Sequence, residues 1–108
     1  MSRALSIARA TVPEPLEPEY LALTAELAAR REARGQHFWI FRSAADPRRF
    51  VEFAESPSVA EHPARAALDP GERLLELELR RLATYEPDGG ELWLEEPLAA
   101  RRPIRPSA

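Results

Sequence analysis

Hydrophobic and polar positions recur along the chain with two different periods, and each period predicts one kind of secondary structure. Residues 5–12 contain several β-branched side chains and are followed by Pro13, which is typical of a strand. In residues 17–34 apolar side chains such as Tyr20 and Leu27 recur at helical spacing and form one apolar face. The acidic residues at the start, the arginines at the end and Gly35 beyond them are typical helix boundaries.

The middle of the chain is its most strand-like part. Residues 36–43 place three aromatic residues and an isoleucine in succession, so both faces of this predicted strand are apolar. A turn at Asp46 and Pro47 separates it from a second predicted strand, residues 49–55. Because the connection is short, we expect the two strands to pair as a hairpin, and we expect both faces of the first strand to be covered.

The second half of the chain predicts less regular structure before a second helix. Residues 59–68 are compatible with a short helix that Pro63 interrupts. A capping box then predicts a helix over residues 69–85. Residues 73–82 also alternate with the period of a strand, but their leucine, glutamate and arginine composition and the cap favour a helix. Residues 91–96 predict the last strand.

The predicted order β-α-β-β-α-β indicates the α+β class and a ferredoxin-like sandwich, a four-stranded antiparallel sheet with two helices on one face. We assign residues 1–97 to a single domain and residues 98–108 to a flexible C-terminal tail. The side chains that we expect to face the helices are Phe38, Ile40, Val51, Phe53, Leu92 and Leu94. Those that we expect on the opposite face are Arg9, Thr11, His37, Trp39, Phe41, Phe50, Glu52 and Trp93.

The second set would be a large aromatic surface, which monomers rarely expose. A second copy of the chain could cover it, so we expect a homodimer in which the two sheets face each other.

Composition narrows the chemistry that the chain can perform. The 108 residues include no cysteine, lysine or asparagine, which excludes disulfides, thiolate metal sites, a cysteine nucleophile and a lysine base. The net charge is −3 and the arginines form no basic stripe, so we expect no nucleic-acid partner. Without an apolar run long enough to span a bilayer or a secretory leader, we expect no membrane association and a cytoplasmic location.

Two histidines are the candidate catalytic residues, since imidazole titrates near neutral pH. His37 begins a strand and His62 precedes a proline, and a structural role is the alternative for each. If Arg9 and Glu52 both point into a dimeric barrel, they should form an ion pair, which could orient a charged substrate or serve only the fold. The predicted substrate-binding residues are Arg9, Trp39, Phe41, Phe50, Glu52 and Trp93. Alternatively, the aromatic members of this set fill a dimer interface. No spacing typical of metal ligands occurs, and we expect neither a metal nor a cofactor.

Several of these features together resemble the dimeric α+β barrel superfamily, especially its antibiotic-biosynthesis-monooxygenase-like group. They are the element order, the glycine after the first helix, the strand His37–Arg42, the Asp46-Pro47 turn before residues 50–53, and His62 after the third strand. The resemblance covers residues 4–96 and implies a small dimeric protein similar to cofactor-independent monooxygenases that act on small aromatic molecules. The alternative is a non-catalytic dimeric module for ligand binding or assembly, so enzymatic activity stays open. Haem-degrading members use an asparagine, and its absence here counts against that chemistry.

Overall fold

A computed structural model describes residues 2–98 of the chain. Its elements in chain order are β1 (Ala4–Thr11), a 3₁₀ turn (Glu14–Leu16), α1 (Glu17–Glu32), β2 (His37–Arg42), β3 (Arg49–Ser56), α2 (Pro70–Leu82), β4 (Thr84–Tyr85) and β5 (Leu92–Leu94). The predicted tail, residues 98–108, lies outside the described residues except for Leu98.

The strands form one antiparallel sheet in the order β2-β3-β1-β4, and β5 also pairs with β1. Both helices pack against the same face of this sheet. The core that they enclose consists of Ala10, Val12, Tyr20, Leu27, Phe38, Phe50, Ala54, Leu75, Leu79 and Ala83. The α+β class and the ferredoxin-like arrangement are therefore confirmed, although the sheet has five strands among the described residues instead of the predicted four.

The predicted helix over residues 73–82 is confirmed, since these residues lie within α2. The Asp69 side chain caps this helix by accepting a hydrogen bond from the Glu72 amide at 2.8 Å. The helix ends earlier than predicted, since Ala83 is extended and the next two residues form β4. The predicted short helix over 59–68 is wrong. That segment forms successive turns, because Pro63 lacks the amide hydrogen that a continuous helix needs.

The prediction of which β3 side chains face the helices was also wrong. In the hairpin, Ile40 lies opposite Glu52 and Trp39 lies opposite Phe53, and directly opposed residues share a face of the sheet. Phe50, Glu52 and Ala54 therefore face the helices with Phe38 and Ile40, whereas Val51 and Phe53 lie on the outer face. Both alternating sets of β3 contain a phenylalanine, so hydrophobicity alone could not choose between them. The predicted positions of Leu92 and Leu94 on the helix side agree with their pairing to Ser6 and Ala4.

The outer face of the sheet carries most of the predicted aromatic surface. Trp39, Phe41 and Trp93 are 42%, 61% and 52% exposed in the single chain. Phe41 meets the ring of Phe53 edge-on at 5.4 Å. The helix-facing side of the sheet thus carries the core and the buried charged groups, whereas the outer face is an exposed aromatic surface.

Candidate active site

A cavity of about 380 Å³ lies between the helix-facing side of the sheet and the two helices. Its volume is at the lower end of the range of roughly 300–1,000 Å³ that is typical of small-molecule sites. Space exists there because β1 presents only Ser6 and Ala8 to this part of the interior. The polar and charged side chains of the lining, apart from that serine, are Arg31, Glu52, His62, Glu76, Arg80, Tyr85 and Glu86.

A break in the edge of the sheet borders this cavity. Tyr85 pairs with Ala10 and Leu92 pairs with Ser6, so residues 86–91 leave the ladder beside Ala8. A larger residue would be crowded where this loop returns to the sheet, because a Cβ on Gly89 would lie 3.3 Å from the Ala8 Cβ. On the outer side, the loop is held by Arg9, whose Nη1 lies 3.0 Å from Asp88 Oδ2.

Glu52 is the acidic group at the centre of the helix-facing side of the sheet. Its side chain accepts hydrogen bonds at one oxygen, Oε2, from the hydroxyls of Tyr20 at 2.6 Å and Tyr85 at 2.7 Å. Burial raises the pKa of Glu52, while the two hydroxyls and the charge of Arg31 oppose the rise.

The second oxygen of Glu52, Oε1, accepts no hydrogen bond from any described residue. Among residues 2–98, the buried side-chain atoms that lack a hydrogen-bond partner are Gln36 Oε1 and Glu72 Oε2. Because Glu52 Oε1 is not one of them and Glu52 lines the cavity, this oxygen retains contact with the cavity. Glu52 can therefore accept a proton or a hydrogen bond from a bound molecule.

The two tyrosines come from different parts of the chain. Tyr20 is fully buried in the first turn of α1, and Tyr85 lies on the short strand β4. Burial and the adjacent Glu52 carboxylate raise the pKa of both phenols. Both therefore stay protonated near neutral pH and act as hydrogen-bond donors to Glu52.

Arg31, in the last turn of α1, is the buried arginine of the cavity lining, whereas Arg80 is exposed. Its side chain is 3% exposed, with Nε 3.2 Å from Glu72 Oε1 and Nη2 2.9 Å from Glu76 Oε1. Its guanidinium also lies over the Phe38 ring, 5.4 Å from the ring centre. Arg34 forms a further ion pair with Glu72, so the fully buried Glu72 lies between two arginines.

His62 lines the cavity, but both of its ring nitrogens are already engaged. Nε2 lies 3.0 Å from the carbonyl oxygen of Ala54, and Nδ1 accepts from the Ala64 amide at 3.0 Å. This pattern requires a neutral ring with the proton on Nε2. Burial lowers the pKa of His62, which favours the same state. Its evident role is to anchor the turns before α2 to β3.

The structure divides the predicted site residues between the two faces of the sheet. Glu52 and His62 line the cavity, and Phe50 lies in the core with its ring 5.0 Å from that of Tyr20. The remaining predicted residues belong to the outer face: Arg9, His37, Trp39, Phe41 and Trp93.

The predicted ion pair between Arg9 and Glu52 is wrong, because adjacent register positions place the two side chains on opposite faces of the sheet and each has other partners.

His37 lies away from the cavity, in a small polar cluster at one corner of the outer face. Its Nδ1 is 2.8 Å from Glu55 Oε1, which also accepts a hydrogen bond from Arg3 at 2.6 Å. The imidazole stacks on Trp39 with ring centres 5.1 Å apart. A role for His37 in chemistry would therefore need a site on the outer face, separate from the Glu52 cavity.

Within the described residues, no group of three or more histidine, cysteine, aspartate or glutamate side chains is arranged to hold a metal ion. No helix there has the length and apolar character needed to cross a membrane.

Solved structures identify the fold. SnoaB, a cofactor-independent oxygenase from Streptomyces nogalater, is 24% identical with a TM-score of 0.59, covering 96% of this chain and 98% of its own. An antibiotic biosynthesis monooxygenase structure is 17% identical with a TM-score of 0.65, covering 92% and 100%. A conserved protein of unknown function from Bacteroides thetaiotaomicron is 15% identical with a TM-score of 0.70, covering 87% and 98%. No family model and no curated protein matches the sequence.

The chain has the fold of the antibiotic biosynthesis monooxygenases. The resemblance found in the sequence is thereby confirmed at the level of fold. The residues that the sequence did not single out are Tyr20, Arg31, Glu72, Glu76 and Tyr85. One signal in the sequence could have indicated the tyrosines. A glutamate that is buried within a largely apolar strand needs hydrogen-bond donors. The two tyrosines of the chain have side chains long enough to bring a hydroxyl to it.

Proposed function

We propose that the protein is a cofactor-independent oxygenase that binds a small aromatic molecule in the cavity and uses Glu52 to remove a proton from it. The observation that carries this proposal is the geometry of the carboxylate. Two tyrosine hydroxyls hold one oxygen, and the other oxygen faces a cavity of suitable volume. The fold shared with SnoaB, a cofactor-independent oxygenase, supports the same reaction class.

In an oxygenation without a cofactor, the step that the protein must catalyse is removal of a proton from the substrate. A methylene group between aromatic rings becomes an electron-rich carbanion when it loses a proton, and molecular oxygen can oxidise that carbanion. The balanced reaction is R₂CH₂ + O₂ → R₂C=O + H₂O, in which one oxygen atom enters the product and the other leaves as water. A carboxylate with a pKa raised by burial is a stronger base than one in water, which suits Glu52 to this step.

Oxygen uptake with anthrone as the substrate tests the proposal, since its methylene group lies between two rings and its oxidation product, anthraquinone, absorbs differently. The wild-type protein should consume oxygen faster than buffer, and Glu52→Gln should lower kcat about a hundredfold or more. Glu55→Gln is the matched control, because Glu55 lies three residues further along β3 on the outer face. The proposal fails if wild-type protein does not exceed the buffer rate, or if Glu52→Gln and Glu55→Gln have equal activity.

We also propose that two copies of the chain associate through the outer faces of their sheets, as in a dimeric α+β barrel. The aromatic residues of this face are exposed in the single chain, and a patch of this kind typically marks an interface. Trp39, Phe41 and Trp93 would then be interface residues and not substrate contacts. The predicted cytoplasmic location stays a prediction.

Light scattering with size-exclusion chromatography tests the dimer. The wild-type protein should elute at twice the 12.2 kDa mass of one chain, and Trp39→Ala should shift it toward the monomer. Leu74→Ala is the control, because Leu74 is an exposed leucine on α2, away from the outer face. A wild-type protein that is monomeric in dilute solution would contradict this proposal.

A further inference from the structure

The guanidinium of Arg31 has donors that the fold does not use. Hydrogen bonds to Glu72 and Glu76 engage Nε and Nη2, whereas Nη1 donates to no described residue. Nη1 is also not among the buried atoms of the described chain that lack a partner, so it keeps contact with the cavity that Arg31 lines. A buried cation therefore presents unpaired N–H groups to the same space as Glu52 Oε1.

The surroundings of Arg31 hold these donors in place. Glu72 is fully buried and Glu76 is half-buried. Their carboxylates form ion pairs with Nε and Nη2 of the planar guanidinium, respectively. The Phe38 ring supports its flat side. Because the side chain is fixed before any ligand arrives, little conformational entropy is lost when Nη1 forms a hydrogen bond.

We propose that the cavity selects aromatic molecules that bear a carboxylate, and that Arg31 Nη1 binds this carboxylate while Glu52 faces the acidic position. This inference rests on the proposed function of the cavity and adds the substrate class and a specificity residue. Charge-assisted hydrogen bonds from arginine to carboxylate are about twice as strong as neutral ones, which is the physical basis of the selection.

Glu76 sets the strength of this selection. It also lines the cavity and bears a negative charge, so it holds Arg31 in position while it repels an anionic ligand. Glu72 is balanced by Arg34, but the carboxylate of Glu76 accepts hydrogen bonds from no other described residue than Arg31. Neutralising Glu76 should leave Arg31 paired through Glu72 and raise the affinity for anions.

Two matched probes test the proposal by isothermal titration calorimetry near neutral pH. The probes are β-naphthoate and its neutral isostere β-naphthamide. The wild-type protein should bind β-naphthoate about tenfold more tightly than β-naphthamide. Glu76→Gln should raise the affinity for β-naphthoate severalfold and leave that for β-naphthamide unchanged. Glu78→Gln removes the same charge from the exposed side of α2, where Glu78 pairs with Arg81, and should change neither affinity.

The outcomes separate this inference from the proposed function. Equal affinities of the wild-type protein for the two probes, or equal effects of Glu76→Gln and Glu78→Gln, would overturn the carboxylate selection. The oxygenase proposal would survive that result if anthrone oxidation still depended on Glu52. Arg31→Gln should abolish the preference for β-naphthoate, and the pair of glutamate variants decides the question if that variant fails to fold.

Discussion

Removing the Tyr20 hydroxyl is the most direct probe of the buried carboxylate. Tyr20→Phe deletes one oxygen atom in the fully buried first turn of α1 and leaves the ring packed against Phe50. The lost contact is a 2.6 Å hydrogen bond to Glu52 Oε2, whose other donor is the Tyr85 hydroxyl. The substitution therefore tests the hydrogen bond with little change in packing.

The expected cost depends on the charge of Glu52. A buried hydrogen bond to a charged group contributes roughly 1.5–3 kcal/mol to stability, and one between neutral groups roughly 0.5–1.5 kcal/mol. Tyr20→Phe should thus lower the free energy of unfolding by about 2 kcal/mol where Glu52 is ionised, and by about 1 kcal/mol where it is protonated.

The pH dependence follows from the direction of the pKa shift. Burial raises the pKa of Glu52 in the folded protein above its ordinary value, so the folded state binds the proton more tightly than the unfolded chain. This group contributes stability that is fully present below its unfolded pKa and is lost as the pH rises through its folded pKa. Since the Tyr20 hydroxyl lowers the pKa of Glu52, its removal raises that pKa further. The variant therefore loses more stability than the wild-type protein as the pH rises.

Urea denaturation followed by tryptophan fluorescence, repeated at about pH 5 and about pH 8, measures the effect. The penalty of Tyr20→Phe should be larger at the higher pH. Tyr85→Phe should cost less, because Tyr85 is only half-buried and water can replace its hydroxyl. The double variant should cost less than the sum, since Glu52 can take up a proton once both donors are gone. A Tyr20→Phe penalty that is independent of pH would refute the charged hydrogen bond.

Two other substitutions test how the helices end and begin. Gly35→Ala should lower stability by about 1 kcal/mol, because Gly35 has a φ of 75° and alanine is strained there. Thermal unfolding of Gly35→Ala should show a Tm about 4–8 °C lower. Gly90→Ala, at a position with open space and no positive φ, should change the Tm little. Equal shifts for the two variants would contradict the role of the positive φ at Gly35. Asp69→Ala removes the N-cap of α2 and should cost about 1 kcal/mol in urea denaturation, and an unchanged midpoint would exclude the capping role.

The elements that follow from local patterns were predictable from the sequence. The boundaries of α1 come from its charged ends and Gly35, and the start of α2 comes from the cap at Asp69. β4 was not predictable, because two residues are too short to show a period and the strand exists only through its pairing with Ala10 and Thr11. The break between β4 and β5, which borders the cavity, was missed for the same reason.

The candidate site was only partly predictable because its contacts join distant parts of the chain. Glu52 was expected on the outer face because Val51 and Phe53, which alternate with it along the strand, were expected to face the helices. Glu52 instead faces the helices, where the hydroxyls of Tyr20 and Tyr85, each more than thirty residues away in the chain, satisfy its carboxylate. Arg31 was used only as one of the arginines that mark the end of α1, and nothing in its local sequence indicates the buried pair with Glu72.

The separation of the two sheet faces makes the two proposals distinguishable by one further measurement. Substitutions on the outer face, such as Trp39→Ala, would lower activity only by weakening association, so the lost activity should return as protein concentration rises. Substitutions of Glu52 change the cavity itself, and no increase in concentration can restore the missing carboxylate. Activity of Trp39→Ala that stays low at every concentration would place substrate contacts on the outer face, and Glu52 would then need a different role.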